Sequence, residues 1–416
     1  MMTKNKNYII CGIPPDNSGV GRVMKYIVKN NKKEFNVIFP KEIFYPENGL
    51  RILIKRKHYF KFIKFCFKIY SRYFTIINKI IFNIKLNYLK SKNIIIIHPQ
   101  TIGFKNVIKL IEKNNIFIYI MDCSFFCVKS YNHIENSFEP CFLCLGGNYE
   151  FAKKYNCKPF PVEYKLNENI IFLKKIKGLS NNINFIAQNP SHLNLIIKHF
   201  GNDIKVYMVA IFAVDYIKNK KITNKKNKDI EQVDNKFNID FVYHGAAIEA
   251  KGLLYVINIA SRLKQYTFLI PASYSRCKKV LGQKLKEKNI IKNIIFKDIT
   301  WESGLKDYVT NSKVILCPSL WSEPSAGALI KSFIFNGVVA LIPSKYSFVN
   351  DLPDNIYCKL DVNNFNKSIK GLMELICNDN LRANLKKDSQ KWANVYLKEN
   401  KFLVKKLAYI INNKIF

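Results

Sequence analysis

The chain has 416 residues, with 67 lysine and arginine residues against 30 aspartate and glutamate residues, and a formal net charge of +37. A hydrophobic fraction of 48% excludes a wholly disordered polycation and is sufficient for two or three domains with their own cores. The surplus of positive charge indicates an anionic partner, such as lipid headgroups, nucleic acid or a phosphorylated substrate.

The amino-terminal residues 1–7 are polar and lead directly into an apolar strand, so we expect no signal peptide. No apolar run reaches the roughly 18–20 residues of a membrane span. The most apolar stretch, residues 76–89, is interrupted by Lys79 and Lys85. We therefore expect a soluble cytoplasmic protein, with peripheral attachment to the inner face of the cell membrane as an option. Eleven cysteines without a secretion signal are expected to be thiols.

Short apolar runs alternate with helical patterns along the whole chain. Continuous apolar strands of this kind indicate α/β domains, in which parallel sheets are covered by helices on both faces. The predicted strands are 8–11, 94–97, 116–121, 185–187, 241–243, 267–270, 314–317 and 338–342.

The first glycine-containing turn lies between a strand and an amphipathic helix, at residues 11–22. Gly19 and Gly21 allow the backbone to approach a ligand closely, and amide groups at the start of the helix can face an anion. Plain tight turns have the same composition, so this turn alone leaves a donor-binding role and a structural role open.

Residues 51–92 contain twelve lysine or arginine residues and no acidic residue, interleaved with aromatic side chains. Such a segment could lie in the headgroup layer of an anionic membrane. It could also bind single-stranded nucleic acid, or form a helical pair with a solvated face. We rank the membrane surface first and nucleic acid last, because no nucleic-acid recognition motif accompanies the segment.

His98 follows the strand at 94–97, and so lies at the carboxyl end of the predicted sheet. Ligands bind at this edge in open α/β sheets. We take His98 as a candidate acceptor-binding residue, with an ordinary loop histidine as the alternative. Further on, Asn189 and Pro190 predict the start of a helix.

Five cysteines fall within residues 123–157, a segment that we call the cysteine-rich loop. Four thiolates at such separations can hold a tetrahedral structural zinc ion. Buried or unliganded thiols are the alternative. The predicted zinc ligands are Cys123, Cys127, Cys141 and Cys144.

The lysine-rich stretch 217–236 is nearly devoid of core residues and predicts a linker or an exposed loop. It separates an amino-terminal domain, residues 1–216, from a second domain, residues 237–390. The last residues, 391–416, have a helical pattern.

The second domain offers two further turns of the same type. Gly245 and Lys251 follow a strand, and a lysine at the opening of a helix can reach a phosphate as a point charge. The turn after residue 317 is more specific, because Glu323 can accept hydrogen bonds from hydroxyl groups beside the helix start at 327–329. A carboxylate for hydroxyls next to amide donors for phosphate suits a nucleotide-sugar.

Together the segments Gly19–Arg22, Gly245–Gly252 and Pro318–Gly337 resemble, in order and spacing, the motifs of the retaining glycosyltransferases of family 4. The likeness is clearest over residues 238–345. It implies the GT-B fold, in which two Rossmann-like, doubly wound parallel-sheet domains face each other across a cleft. It also implies that the carboxyl-terminal helix packs back on the first domain.

The resemblance implies transfer of a sugar from a nucleotide-diphosphate sugar to an acceptor, with retention of configuration and with no metal or other cofactor required. Lys251 would hold the diphosphate, and Glu323 would hold the sugar hydroxyls. Because the donor's own phosphate oxygen is thought to receive the acceptor proton in such enzymes, we nominate no dedicated base. Asp122 is the only nearby carboxylate that we nominate as a catalytic residue, beside Lys251 and Glu323. The basic charge suggests a glycan or a lipid-linked acceptor, as in cell-surface polysaccharide or lipopolysaccharide biosynthesis. The amides implied to bind the phosphates belong to Gly327, Ala328 and Leu329.

The chain departs from the family pattern in three places. Ala246 stands where the family has an arginine, and Lys331 stands where it has a second glutamate. Met121 and Asp122 replace a common His-Asp pair. Because one cation is lost and another is gained, we hypothesise that Lys331 takes over part of the phosphate contact. The rival hypothesis is a non-catalytic protein of GT-B type that binds membrane or nucleic acid.

Overall fold

The computed structural model describes residues 7–16, 18–40, 77–211, 239–282, 285 and 292–412. They form two α/β units, each built on a six-stranded parallel sheet. The strands are β1 (Asn7–Cys11), β2 (Asn36–Ile38), β3 (Asn93–Ile97), β4 (Asn115–Tyr119), β5 (Ile183–Ala187), β6 (Lys205–Met208), β7 (Phe241–Tyr243), β8 (Phe268–Ile270), β9 (Ile294–Phe296), β10 (Val314–Cys317), β11 (Val339–Leu341) and β12 (Cys358–Lys359).

Helices cover both sheets. They are α1 (Gly19–Asn30), α2 (77–87), α3 (Pro99–Ile102), α4 (Phe104–Lys113), α5 (Glu150–Lys154), α6 (Leu166–Gly178), α7 (Pro190–Phe200), α8 (Leu253–Arg262), α9 (Tyr274–Leu281), α10 (Lys306–Asn311), α11 (Gly327–Phe335), α12 (Phe365–Cys377), α13 (Asp379–Asn400) and α14 (Leu403–Asn412). The prediction of parallel-sheet α/β architecture is confirmed.

The first unit contains the sheet with the order β2-β1-β3-β4-β5-β6. Its central strand β3 buries four consecutive isoleucines, 94–97, completely, because helices lie on both faces of the sheet. The chain proceeds from β1 to β2 on one side and then to β3 on the other, so the direction of winding reverses between β1 and β3. Ligands bind outside the carboxyl ends of the strands at such a reversal.

The second unit contains the sheet with the order β12-β11-β10-β7-β8-β9. Here the winding reverses between β7 and β10, which pair directly through Ile315 and Val242. The segments that follow β7 and β10 therefore meet at one edge of the sheet. Lys251 and Glu323 belong to these two segments.

Two helix starts show how local sequence sets the elements. Asn189 caps α7 by accepting a hydrogen bond from the His192 amide at 2.8 Å, with Pro190 at the first helical position, as predicted. Ser18 caps α1 in the same way, through the amide of Gly21 at 3.1 Å.

The two units are joined through packed side chains. Ala250 and Trp321 of the second unit lie in the same apolar cluster as the core of the first unit. Helix α14 packs Leu403, Leu407 and Ile411 into the core that surrounds β1. The predicted linker, 217–236, lies outside the described residues, and the predicted domain boundaries remain predictions.

Candidate functional site

Lys251 and Glu323 lie at the carboxyl edge of the second sheet, where the Lys251 ammonium donates a hydrogen bond to Glu323 Oε1. A glycine makes this approach possible. Gly252 has a φ of +78°, and a Cβ atom there would lie 2.0 Å from the carbonyl oxygen of Pro318. The Leu320 amide also donates to Ala250 O at 2.9 Å, which ties the two segments together.

The pair is almost removed from solvent, since the side chains of Lys251 and Glu323 are 17% and 11% exposed. The Lys251 ammonium lies 5.0 Å from the Trp321 ring centroid and 5.9 Å from that of Tyr131. These two rings meet edge to face at 4.6 Å. Because Tyr131 belongs to the first unit, both units contribute to the wall around the pair.

The electrostatic surroundings of Tyr131 show that carboxylates from both units lie near it. Burial, and then the negative charges of Glu323 and Asp122, raise the pKa of Tyr131 to about 12. The phenol is therefore a neutral hydrogen-bonding group at physiological pH. The predicted sugar-binding carboxylate and the predicted acceptor-side carboxylate thus share one neighbourhood.

The backbone that carries Glu323 is held by side chains from other elements. The Ser322 amide donates to Asn132 Oδ1 at 2.9 Å, and Asn132 Nδ2 donates to Ser322 Oγ at 3.2 Å. Ser322 Oγ in turn donates to Lys345 O at 2.6 Å. The Phe348 amide donates to Glu323 O at 2.7 Å. This turn is therefore fixed before any ligand binds.

A second group of cations lies near His244, the residue that directly follows β7. Lys331, on α11, is 4% exposed, and its ammonium stands 4.7 Å from the ring centroid of Trp301. Arg22, at the start of α1, forms an ion pair with Glu302 at 3.0 Å. This ion pair joins the two units at their facing edges.

His244 follows β7 and stacks on Trp301, with ring centroids 5.4 Å apart and an angle of 9° between the planes. Its Nδ1 lies 2.8 Å from Ser332 Oγ. Burial, followed by the positive charges of Lys331 and Arg22, lowers the pKa of His244 to about 3. The imidazole is therefore neutral and acts as a hydrogen-bonding group.

Helix α11 begins at Gly327 after Ala326, a residue that provides no side-chain cap. The amides of Gly327, Ala328 and Leu329 form the first turn of this helix, as the sequence predicted. The first turn of a helix concentrates partial positive charge, so this turn is suited to an anion.

The remaining predicted donor residues lie around this site. Gly245 sits against Tyr243, whose hydroxyl a Cβ atom would approach to 2.8 Å. Ala246, which stands where the family of the sequence resemblance has an arginine, is exposed. At the first turn, a Cβ on Gly21 would collide with Asp16 Oδ1 at 1.6 Å, whereas Gly19 has open space around it. The packing of Asp16 therefore accounts for Gly21 without a ligand.

On the side of the first unit, His98 and Asp122 form a pair at the ends of neighbouring strands β3 and β4. His98 Nε2 lies 3.3 Å from Asp122 Oδ2, and their side chains are 4% and 14% exposed. Asp122 Oδ1 also accepts a hydrogen bond from the Ser124 amide at 2.9 Å. Asp122 is thus the more accessible of the two, and the contact with the more buried His98 orients its carboxylate.

No protein-family model matches the chain, and no curated protein matches it. Solved structures do. Sucrose-phosphate synthase from Thermosynechococcus elongatus is 10% identical, with 98% of each chain covered and a TM-score of 0.62. HepE from Anabaena, solved with UDP-glucose, is 10% identical over 98% of this chain and 99% of its own, with a TM-score of 0.58.

TarM is 15% identical over 77% of this chain with a TM-score of 0.50, but the chain spans only 54% of TarM. In the protein described here, the carboxyl edges of the two parallel sheets meet through Arg22 and Glu302 and through Tyr131 and Trp321. The chain has the GT-B fold. In this GT-B protein the predicted donor residues Lys251, Glu323 and Lys331 all lie on the second unit, and Asp122 and His98 lie on the first.

Several residues of the candidate site were not predicted from the sequence. Tyr131 and Asn132 reach the second unit from the cysteine-rich loop, and nothing in the local sequence signals that contact. Trp301 and His244 are 57 positions apart and meet only through the packing of the second sheet. The position of His244 directly after a predicted strand was the one available signal.

The predicted zinc ligands do not all lie together. Cys123 Sγ donates to Asn132 Oδ1 at 3.3 Å and lies at the interface of the two units. Cys127, Cys141 and Cys144 instead line a small cavity that Cys157 also lines. Across the residues that the structure describes, no three His, Cys, Asp or Glu side chains are grouped closely enough to hold a metal ion as they stand.

The segment 51–92, rich in basic and aromatic residues, is described only from residue 77 onwards, and residues 51–76 lie outside the described ranges. Helix α2 buries Phe82 and Leu86 against the first unit. Its other face bears large apolar side chains that are exposed, namely Ile77, Ile80, Ile81 and Ile84. Within the described ranges, no helix combines the length and the apolar character needed to cross a membrane.

Proposed function

We propose that the protein is a retaining glycosyltransferase that moves a sugar from a nucleotide-diphosphate sugar to an acceptor held by the first unit. The observation that carries this proposal is the nearly buried Lys251–Glu323 pair, beside the start of α11 at the carboxyl edge of the second sheet. HepE, a neighbour in fold, has been solved with UDP-glucose, and TarM of S. aureus with UDP. Both support a nucleotide-sugar as the donor.

Contacts with the donor would replace the contact between Lys251 and Glu323. A sugar hydroxyl can donate to Glu323 in place of the ammonium, and the ammonium can then turn towards the diphosphate. Lys331 and the amides of 327–329 would add positive potential at the same group. Because negative charge builds on the leaving diphosphate in the transition state, these fixed groups stabilise it without a metal ion.

The acceptor would lie against Asp122, with Tyr131 close by. Asp122 is oriented by His98 and by the Ser124 amide, so its free lone pairs can accept a hydrogen bond from an acceptor hydroxyl. The family's usual imidazole at position 121 is a methionine here, and His98 brings an imidazole to the same carboxylate from the neighbouring strand. Asp122 and His98 are therefore proposed as acceptor-side residues.

We further propose an acceptor attached to a membrane or to an anionic glycan, as in polysaccharide or lipopolysaccharide biosynthesis at the inner face of the membrane. The net charge of +37 and the exposed isoleucines of α2 support this. The rival is a binding protein without activity, which is favoured by the loss of the arginine at Ala246 and by Tyr131 standing over Lys251.

A panel of nucleotide-sugars tests the proposal. We expect one donor to be turned over, with release of the nucleoside diphosphate, and the anomeric configuration of the product, read by NMR, to match that of the donor. An inverted product would contradict retention. If no donor binds or reacts, while RNA or anionic vesicles bind in a salt-sensitive manner, the rival is correct.

A further inference from the structure

The cysteine-rich loop gathers four thiols around one cavity. Cys127, Cys141, Cys144 and Cys157 all line it, and its volume is about 10 Å3. A cavity of this size holds a single water-sized occupant. These four cysteines come from residues spread over thirty positions, so their convergence is a property of the folded loop and not of one turn.

A backbone amide is aimed at the sulfur of one of these cysteines. The Lys129 amide donates to Cys127 Sγ at 3.4 Å. A hydrogen bond of this kind orients the sulfur of a metal ligand and favours a thiolate. Burial acts in the opposite direction and raises the pKa of all four thiols, so a bound cation is needed to hold them as thiolates.

The fifth cysteine of the loop is committed elsewhere. Cys123 Sγ donates to Asn132 Oδ1 at 3.3 Å and to Ser322 O at 3.4 Å. It therefore belongs to the interface between the units and not to the cavity. The spacing of the remaining four is thirteen residues, then two, then twelve, and the central pair is a CxxC turn of the type found in zinc sites.

We propose that Cys127, Cys141, Cys144 and Cys157 bind one zinc ion, so that Cys157 replaces Cys123 in the set expected from spacing. Four S–H protons leave to solvent as four Zn–S bonds form, which gives a tetrathiolate centre with a charge of −2. Lys129, whose ammonium is fixed on His133 O at 2.9 Å, supplies positive charge nearby. The described side chains are in the thiol form and are not grouped at ligating distance, so binding requires the cysteines to rotate inward.

The zinc ion would stabilise one wall of the glycosyltransferase cleft. The same loop carries Tyr131, which contacts Trp321, and Asn132, which holds the Ser322 turn. Metal binding to the loop therefore fixes the contact between the two units next to Glu323. The proposal itself stands or falls on metal content and is independent of catalysis.

Elemental analysis of the purified full-length chain, after dialysis against a weak chelator, tests the proposal. We expect about one zinc per chain. Cys157→Ser should lose the zinc, whereas Cys123→Ser should keep it, as should the exposed control Cys377→Ser. Wild-type protein without zinc, or with iron in its place, would overturn the proposal. Retention of zinc by Cys157→Ser would overturn it as well.

Alkylation of the wild-type chain gives an answer that does not depend on the folding of a variant. Cys141 and Cys157 are partly accessible, and Cys377 is exposed. We expect Cys141 and Cys157 to react with iodoacetamide only after a strong chelator is added, while Cys377 reacts at the same rate in both conditions. Equal reaction of Cys141 and Cys157 with and without the chelator would contradict a metal site.

Discussion

Lys251 and Glu323 neutralise each other at a nearly buried position where either charge alone would be energetically unfavourable. A nearly buried charge is costly unless it is paired, and the rings of Trp321 and Tyr131 keep water away from this pair. A sugar-diphosphate offers hydroxyl donors to the carboxylate and phosphate oxygens to the ammonium. Under the proposed function, the ion pair would hold both groups in place until a donor supplies better partners for both.

At the residue scale, the first prediction concerns Lys331, which lies over Trp301 and near Arg22 and Glu302. Lys331→Glu removes a cation from the side proposed to bind the phosphates and adds a carboxylate near Glu302. We expect UDP binding to weaken by about 10- to 100-fold, the equivalent of about 1.5–3 kcal/mol for a charged hydrogen bond. Calorimetry measures this directly.

The matched control is Lys370→Glu, at an exposed position of α12, which changes the net charge equally without touching the site. Binding that is unchanged or tighter in Lys331→Glu would contradict the role of Lys331. A similar loss in both variants would show that net charge, and not this contact, governs affinity.

At the scale of elements, the close approach of Gly252 to Pro318 sets the position of Lys251. The left-handed conformation costs an alanine about 1–2 kcal/mol, and the collision with Pro318 O adds to that cost. We expect Gly252→Ala to lower the melting temperature and to reduce donor turnover, because the two segments must separate. Gly178→Ala is the control, since a Cβ there meets no atom within 4 Å. Equal melting temperatures and equal donor turnover in Gly252→Ala and Gly178→Ala would show that the approach of Gly252 to Pro318 does not position Lys251.

The strands show how far sequence patterns reach. All eight predicted apolar runs correspond to strands in the interiors of the two sheets, where both faces are covered and the sequence is continuously apolar. The four strands that were missed, β2, β6, β9 and β12, are the four sheet edges. Each is partly exposed, and β2, β6 and β12 include a polar residue. The fourth, β9, is the short apolar run Ile294–Phe296, which was not assigned to a strand.

The candidate site also contains some residues that the sequence could predict and others that it could not. Lys251, Glu323 and the start of α11 could be predicted, because each follows a strand end at a recognisable spacing. The partners of these groups could not, since Tyr131, Asn132 and Trp301 reach the site through tertiary packing. The cysteines show the same limit, because spacing alone does not indicate which thiols face one cavity. Cys157 lines the cavity with Cys127, Cys141 and Cys144, whereas Cys123 lies at the interface between the units.

At the scale of the whole molecule, contacts between the units surround the candidate site. Ser191 Oγ donates to Asp351 Oδ1 at 2.9 Å, and Asn189 Nδ2 donates to Pro324 O. With Tyr131 standing over Lys251, these contacts describe a closed arrangement. Under the proposed function, the units would have to separate to admit a donor to the pair, as in enzymes whose domains open and close around substrate.

The stability of the whole chain should fall in mild acid. Burial, as the largest cause, lowers the pKa values of His192, His199 and His244 to about 3. An unfolded histidine has a pKa of about 6.5, so between these values the unfolded chain binds protons that the folded chain does not. Stability is therefore lost as the pH falls below about 6.5, by about 2 kcal/mol per histidine at pH 5.

Denaturant unfolding at several pH values measures this loss. His199→Asn should reduce the proton uptake on unfolding by about one proton. His199 is not part of the candidate site. Its Nδ1 accepts a hydrogen bond from the Gly146 amide at 3.1 Å. A free energy of unfolding that is the same at pH 7 and pH 5 would contradict the assignment of neutral buried imidazoles.

The most direct test of the Lys251–Glu323 site is the rate of nucleoside diphosphate release by Glu323→Gln. The amide keeps the size of the side chain but not the charge, and we expect the rate to fall by about 10²- to 10³-fold. Glu374→Gln, on the exposed face of α12, should keep the wild-type rate. A Glu323→Gln protein as active as wild type would show that the chemistry takes place elsewhere.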